Sequence, residues 1–345
     1  MVLVSRQDRK RSPKDDAERF AEMKLIFTGG TGRSGTTVTS HILGLNRQLL
    51  KVGGEARFFS DPDGLVHLGR YLTDQWTFLA ADKAFHRFVD LMEDISKPWK
   101  SWSTVKTLNR KVLPAMGLAP MRYQWVNLCD YLPKKQVREA VGEFLGKLSM
   151  ERYPGYWVGT PSYQRNPVIY SSSRIDKSIY AKAAQEFVDR LVEPFSRDKT
   201  YFIDDSPESI LYIEELLQLF PESKFIHCYR DLRDVVASTK GKHWGDSDVR
   251  KLCPWIKSVC EKWINLKSRV PAESFIEIRL EELIADPKGN VERLCNFLDI
   301  PFDDAMLQVD LSKGNTQRWK FDLKPEDARY VEEYLADIMQ HYGYQ

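Results

Sequence analysis

The sequence predicts an α/β fold, a central parallel sheet flanked by helices, on three observations. After residue 200, short apolar runs alternate with amphipathic helical stretches. These runs are apolar along their length instead of alternating, which suits strands covered on both faces. A similar run near the start, Lys24–Thr28, is stopped by Gly29-Gly30 and followed by a helical stretch.

In chain order, "KLIFT" reads as the first buried strand and Thr36–Leu45 as a helix. Leu49–Val52 offers a second short strand, broken by Gly53-Gly54. Residues 61–199 carry helical patterns at about 63–74, 80–95, 134–150 and 177–193, and read as a largely helical insertion or acceptor-side cap on one domain spanning 24–345. "TYFID" then reads as a strand. Ser206-Pro207-Glu208 opens a helix with a hydroxyl cap, Pro at N1 and an acid in the first turn. Ile210, Ile213, Leu217 and Phe220 fall on one face of it. "KFIHCYR" and "SFIEIRL" are strands; "DLRDVVAS", the stretch after Pro254, and "KGNVERLCNFLDI" are helices.

Bulk properties narrow the function. Of 345 residues, 42% are hydrophobic and 29% charged, and the net charge is +2, so no global field favours nucleic acid. The five cysteines have no CxxC spacing, so neither a disulfide framework nor a metal site follows, and they read as reduced buried thiols. Residues 1–23 are a charged lead, expected to be mobile, without the apolar core of a signal peptide, and no apolar run reaches membrane-spanning length. The expectation is a cytoplasmic protein with no metal.

The chemistry starts at the first loop. Between a strand and a helix N-terminus, glycine-rich backbone points several N–H groups at one spot and binds an anion. Gly30 to Thr37 has the frame of a nucleotide-triphosphate loop, but Thr36 stands where its lysine belongs, which argues against a kinase. Hydroxyls at Thr31, Ser34, Thr36 and Thr37 surround one cation, Arg33. The expected cradle is Gly32, Arg33, Ser34, Gly35, Thr36 and Thr37.

A second anion site is expected in "YRDLRDVVAS". Arg230 ends a strand and Ser238 lies two turns into the next helix, at the sheet edge that carries the first loop. Lys240 and Lys242 could add charge there, whereas Arg233 reads as locally paired or facing solvent. For Arg230 the plain alternative is a salt bridge to Asp231 or Asp234. Two separate phosphate sites suggest a nucleotide phosphorylated at both its 3′ and 5′ positions.

These residues resemble the sulfotransferase family that uses 3′-phosphoadenosine 5′-phosphosulfate (PAPS). "GRSGTT" is similar to that family's 5′-phosphosulfate loop, and "YRDLRDVVAS" to its 3′-phosphate motif. "GGEARFF" resembles the tyrosylprotein sulfotransferase pattern, which implies Glu55 as catalytic base; "NTQRWKFDL" is loosely similar to a nucleotide-lid segment. The resemblance covers residues 24–60 and about 200–320 and implies PAPS as sulfuryl donor, a P-loop-like architecture, and a small-molecule or conjugated acceptor with a hydroxyl or amine. Two positions depart from it. "DDSP" places Asp205 where related sequences carry a lysine, and Leu280 replaces a tyrosine.

In the resulting mechanism Arg33 stabilises the leaving phosphate and Glu55 takes the acceptor's proton. Read from the residues alone, Glu55 could equally pair with Arg57, and His67, His243 and Asp205 are rival bases. The basic stretch 97–111, with Trp99 and Trp102, could close over an acceptor or be solvated. A nucleotide-binding relative without catalysis, acting as an interaction module, is the alternative that Asp205 keeps open.

Overall fold

The computed structural model describes residues 23–98, 102–119, 122–123, 126–160, 165–195, 199–311, 314 and 316–344. The lead at 1–22 and Trp99 lie outside these residues. Five parallel strands form the central sheet: β1 (Lys24–Gly29), β2 (Leu49–Lys51), β5 (Tyr201–Asp204), β6 (Lys224–Tyr229) and β7 (Phe275–Arg279). Their order is β2-β5-β1-β6-β7. β1 is the central strand, pairing with β5 on one side and β6 on the other. The fold class read from the sequence is therefore the observed one.

Each strand divides its side chains between two cores. Leu25, Phe27, Phe202 and Phe225 point to one face, and Ile26, Ile203, Ile226 and Ile278 to the other. The first face is covered by α2 (Leu65–Leu72), α3 (Phe78–Asp94), α4 (Lys134–Leu148), α5 (Lys177–Val192) and α6 (Ile213–Leu219). Segments from 61–199 thus share one apolar core with the sheet. The second face is covered by α1 (Thr36–Gly44) and α9 (Pro287–Leu298). A third cluster joins α7 (Leu232–Thr239), α8 (Val249–Lys267) and α10 (Pro325–Tyr334), with Tyr229 at the end of β6 packed against it. Burial at this scale is worth about 25 cal/mol per Å² of apolar surface, which drives both layers onto the sheet.

Several elements differ from the reading of the sequence. The stretch 61–199 also contains an antiparallel hairpin, β3 (Glu151–Pro154) with β4 (Val168–Ser171). Ser206 does not cap a helix. Its hydroxyl donates to Asp204 Oδ1 at 2.7 Å, and the chain first makes a 3₁₀ segment, Pro207–Tyr212, before α6. The tighter winding turns the apolar face by one residue, so Leu216 is buried and Leu217 only half-buried. The helix expected after Pro254 begins at Val249 instead. Asp248 caps it, and Pro254 is tolerated inside with the loss of one backbone bond. Cys129 is half-buried, while the other four cysteines are buried. No helix among the described residues is long and apolar enough to cross a membrane.

Candidate functional site

The first loop runs from β1 into α1 by a backbone only partly open to ordinary residues. Gly32, Arg33 and Gly35 all have positive φ, at 72°, 58° and 106°. Gly30 has no room for a side chain, because an added Cβ would stand 2.3 Å from the Cys228 carbonyl and 2.5 Å from Ser34 Oγ. Gly35 is the N-cap of α1 and no side chain caps that end, so its first N–H groups are open to an anion. Ser34 is 1% exposed and its hydroxyl has no hydrogen-bond partner. An unpaired buried hydroxyl costs about 1–3 kcal/mol, which an anion seated in the loop would offset. Thr36 is buried and Thr37 exposed, so of the two hydroxyls Thr37 has the freer access to a ligand.

Arg33 and the second motif meet directly. Arg33 Nε donates to Ser238 Oγ at 3.0 Å, and Arg230 Nη1 donates to the Arg33 carbonyl at 3.3 Å. β1 and β6 are neighbours in the sheet, so their C-terminal ends carry both motifs to one place. Arg230 is also paired with Asp234 at 2.8 Å, the plain alternative considered for it. Burial lowers the proton affinity of Arg33, and the charges of Arg318 and Arg230 lower it further. Three arginines therefore crowd one spot, an arrangement that calls for an anion. The Arg33 guanidinium leans toward Ser238, on the second-motif side of this cluster.

Two of the neighbouring cations are paired elsewhere. Arg233 pairs with Asp231 and Glu332, as expected of a local partner. Lys240 pairs with Asp327 at 2.9 Å, away from the role expected of it, and Lys242 is exposed.

Glu55 follows β2 on a loop tied down from below. Asp204 is fully buried at the end of β5, and its Oδ1 accepts from the Ala56 amide at 2.9 Å. The Ser206 and Ser209 hydroxyls satisfy the rest of that carboxylate. Glu55 itself is ion-paired with Arg57, which also holds Asp61 at 3.2 Å. The pairing with Arg57 that the sequence left open is thus present. Even so, the Glu55 carboxyl is pushed up to about 7. Burial is the main cause, Arg57 opposes it, and the charges of Asp205, Asp204 and Asp61 reinforce it. A carboxyl poised there can accept a proton near neutral pH. Among the rival bases, burial lowers the proton affinity of His67, whose Nδ1 lies 3.1 Å from the Asp61 carbonyl, and His243 is exposed.

Asp205, a rival base in the sequence reading, is buried and paired. Lys51, ending β2 one strand away, reaches its Oδ2 at 3.0 Å, and Ser40 of α1 donates to the same oxygen at 2.7 Å. The Lys51 side chain is 9% exposed. Gly44 makes room for it: a Cβ there would stand 3.0 Å from Lys51 Cβ. Lys51 was readable only as the end of a short strand, and no local pattern links it to Asp205, because β5 enters the sheet 150 residues later. Arg318 was likewise visible only within a loosely matching segment. From the 97–111 stretch, Trp102 is 64% exposed.

No cluster of His, Cys, Asp and Glu suited to a metal ion occurs among the described residues.

Comparison with known proteins now bears on this arrangement. Residues 150–304 match the Sulfotransferase family model. That stretch begins inside the segment in which the sequence reading found no match. It includes Arg230 and Ser238 but not the first loop. The omega-hydroxy-beta-dihydromenaquinone-9 sulfotransferase Stf3 of Mycobacterium tuberculosis is 26% identical over 200 residues, 53% of this chain and 51% of that protein. Protein-tyrosine sulfotransferase A of Caenorhabditis elegans is 25% identical over 122 residues, 32% of this chain and 31% of that protein. The chain spans about half the length, or less, of these curated relatives. Among solved structures, the sulfotransferase STF9 from Mycobacterium avium is 14% identical with a TM-score of 0.45, over 96% of this chain and 80% of that one. Over residues 150–304, the chain is similar to the sulfotransferase family, and the curated relatives it resembles are sulfotransferases by name.

Proposed function

We propose that the protein moves a sulfuryl group from PAPS to a hydroxyl or amine of an acceptor by in-line displacement. The observation that carries this reading is the contact of Arg33 with Ser238 and Arg230, which makes two anion motifs one continuous cationic site. The uncapped start of α1 and the unpartnered Ser34 hydroxyl fit a 5′-phosphosulfate. Arg230 and Ser238 fit a 3′-phosphate.

Sulfuryl transfer needs positioning and stabilisation of charge on the leaving group more than covalent chemistry. The bond from sulfur to the acceptor oxygen or nitrogen forms as the sulfur–oxygen bond to the 5′-phosphate breaks, and its electron pair leaves with that phosphate. Here the N–H groups of Gly35, Thr36 and Thr37, with the Thr37 hydroxyl, face the leaving phosphate. Arg33 adds positive charge by swinging from Ser238 toward the loop. Glu55 accepts the acceptor's proton, its affinity near 7 letting it both take and release a proton at neutral pH. The relatives act on a menaquinone derivative and on protein tyrosine by name, so a small-molecule or conjugated acceptor suits this chain too.

Asp205 and the Glu55–Arg57 pair favour a second reading, a nucleotide-binding relative without catalysis. Transfer of a radiolabelled sulfuryl group from PAPS to any of a panel of phenols, alcohols and amines, lost in Glu55→Ala and Arg33→Ala, supports the enzyme. Tight nucleotide binding with no transfer across the panel overturns it in favour of the binding module.

A further inference from the structure

One buried carboxylate joins parts of the site that lie far apart in sequence. Asp234, in the first turn of α7, is 0% exposed. Its Oδ2 is 2.8 Å from Arg230 Nη2 and accepts from the Gln317 amide at 2.8 Å. Its Oδ1 accepts from the Trp319 amide at 3.0 Å. Two of these three donors are backbone N–H groups of a turn more than 80 residues downstream.

The turn is also held by local bonds, Lys320 to the Gln317 side chain at 2.9 Å and Arg318 to Asp322 at 2.6 Å, but Asp234 is the buried carboxylate that accepts from its Gln317 and Trp319 amides. Gln317 sits at φ 60°, a left-handed conformation that costs an ordinary residue energy unless its surroundings hold it. The Trp319 ring lies under the Arg233 guanidinium, 4.3 Å from its centroid. Between the two anchored amides stands Arg318, whose charge depresses the proton affinity of Arg33. The turn therefore delivers a cation toward Arg33, while its amides share a carboxylate with Arg230.

We propose that Asp234 is a positioning residue that couples occupation of the Arg230 pocket to the order of the Gln317–Trp319 turn. The physical basis is a shared acceptor. An anion bound to Arg230 fixes that guanidinium against Asp234, and the fixed carboxylate then holds both amides. Without the carboxylate's charge, Arg230 loses its buried counter-charge beside Arg33, and the left-handed turn loses two of its backbone anchors. This rests on the reading of Arg230 as a phosphate ligand.

Hydrogen–deuterium exchange with adenosine 3′,5′-bisphosphate as the probe tests it. In the unmodified protein, saturating bisphosphate is expected to slow exchange across residues 316–320 at least tenfold, and adenosine 5′-monophosphate to leave it nearly unchanged. Asp234→Asn is expected to bind the bisphosphate about tenfold more weakly and, at saturation, to show no slowing in that turn. No slowing in the unmodified protein overturns the proposal whether or not the variant folds. So does an Asp234→Asn protein that binds and is protected like the parent. Unchanged bisphosphate affinity in Arg230→Ala would instead overturn the reading of the pocket on which the proposal is built.

Discussion

The two sides of the cleft are built on opposite principles. On the Arg230 side the arginines are cross-linked: Arg230 has Asp234 and the Arg33 carbonyl, and Arg233 has Asp231 and Glu332. On the Glu55 side four carboxylates, Glu55, Asp61, Asp204 and Asp205, crowd together with Arg57 and Lys51 as counter-charges. Cross-linking of the first kind gives a preorganised grip and costs little on binding. Burial, reinforced by crowding of the second kind, raises the proton affinity of Glu55, which suits the proton acceptor proposed for it. The contrast suggests that gripping and proton transfer are assigned to separate strands, β6 for one and the segment after β2 for the other.

The largest effect should come from the crowded side. Glu55→Gln is expected to lower kcat about 1,000-fold and to leave bisphosphate affinity within twofold, as read by transfer kinetics and calorimetry. In the parent, the rate should rise with pH through about 7, because only the deprotonated carboxylate accepts a proton and its affinity is raised to that value. That rise should vanish in the variant. Equal losses of binding and rate would erase the division between the two sides.

Lys51→Met tests whether the crowding is balanced by the neighbouring strand. It leaves Asp205 buried and without its cation, so urea unfolding should show a loss of about 3 kcal/mol. The double variant with Asp205→Asn should recover most of it. Full stability in the single variant would mean that Asp205 does not depend on Lys51.

On the gripping side, Arg230→Ala is expected to weaken the bisphosphate about 100-fold without changing the pH profile of the rate at saturating donor. Ser238→Ala should cost only about fivefold, the scale of one hydrogen bond near 1 kcal/mol. A Ser238 effect equal to that of Arg230 would indicate that Arg33, which leans on Ser238, contributes to the same pocket.

What the sequence disclosed follows the same division. The parallel sheet was legible because Ile26, Phe27, Phe202, Phe225 and Ile226 leave no polar face, and the first loop because glycine density announces backbone strain. Arg230 and Ser238 lie eight residues apart on one strand–helix joint, so local spacing was enough to find them. Lys51 with Asp205, and Asp234 with Gln317 and Trp319, are contacts across more than 80 residues, made only once the sheet order is set. The hairpin β3–β4 escaped for a related reason: Glu151–Pro154 is exposed throughout and shows no apolar alternation. Ser206 was misread because a helix cap and a side-chain bond to Asp204 demand the same residue type.

One comparison of affinities tests most directly whether both anion motifs hold a single ligand. Calorimetry with adenosine 3′,5′-bisphosphate, adenosine 5′-monophosphate and adenosine 3′-monophosphate should show the bisphosphate binding at least 100-fold tighter than either monophosphate. Removing the 3′-phosphate should make Arg230→Ala silent. Equal binding of the bisphosphate and the 5′-monophosphate, with Arg230→Ala affecting both alike, would contradict a shared ligand and with it the account of the site.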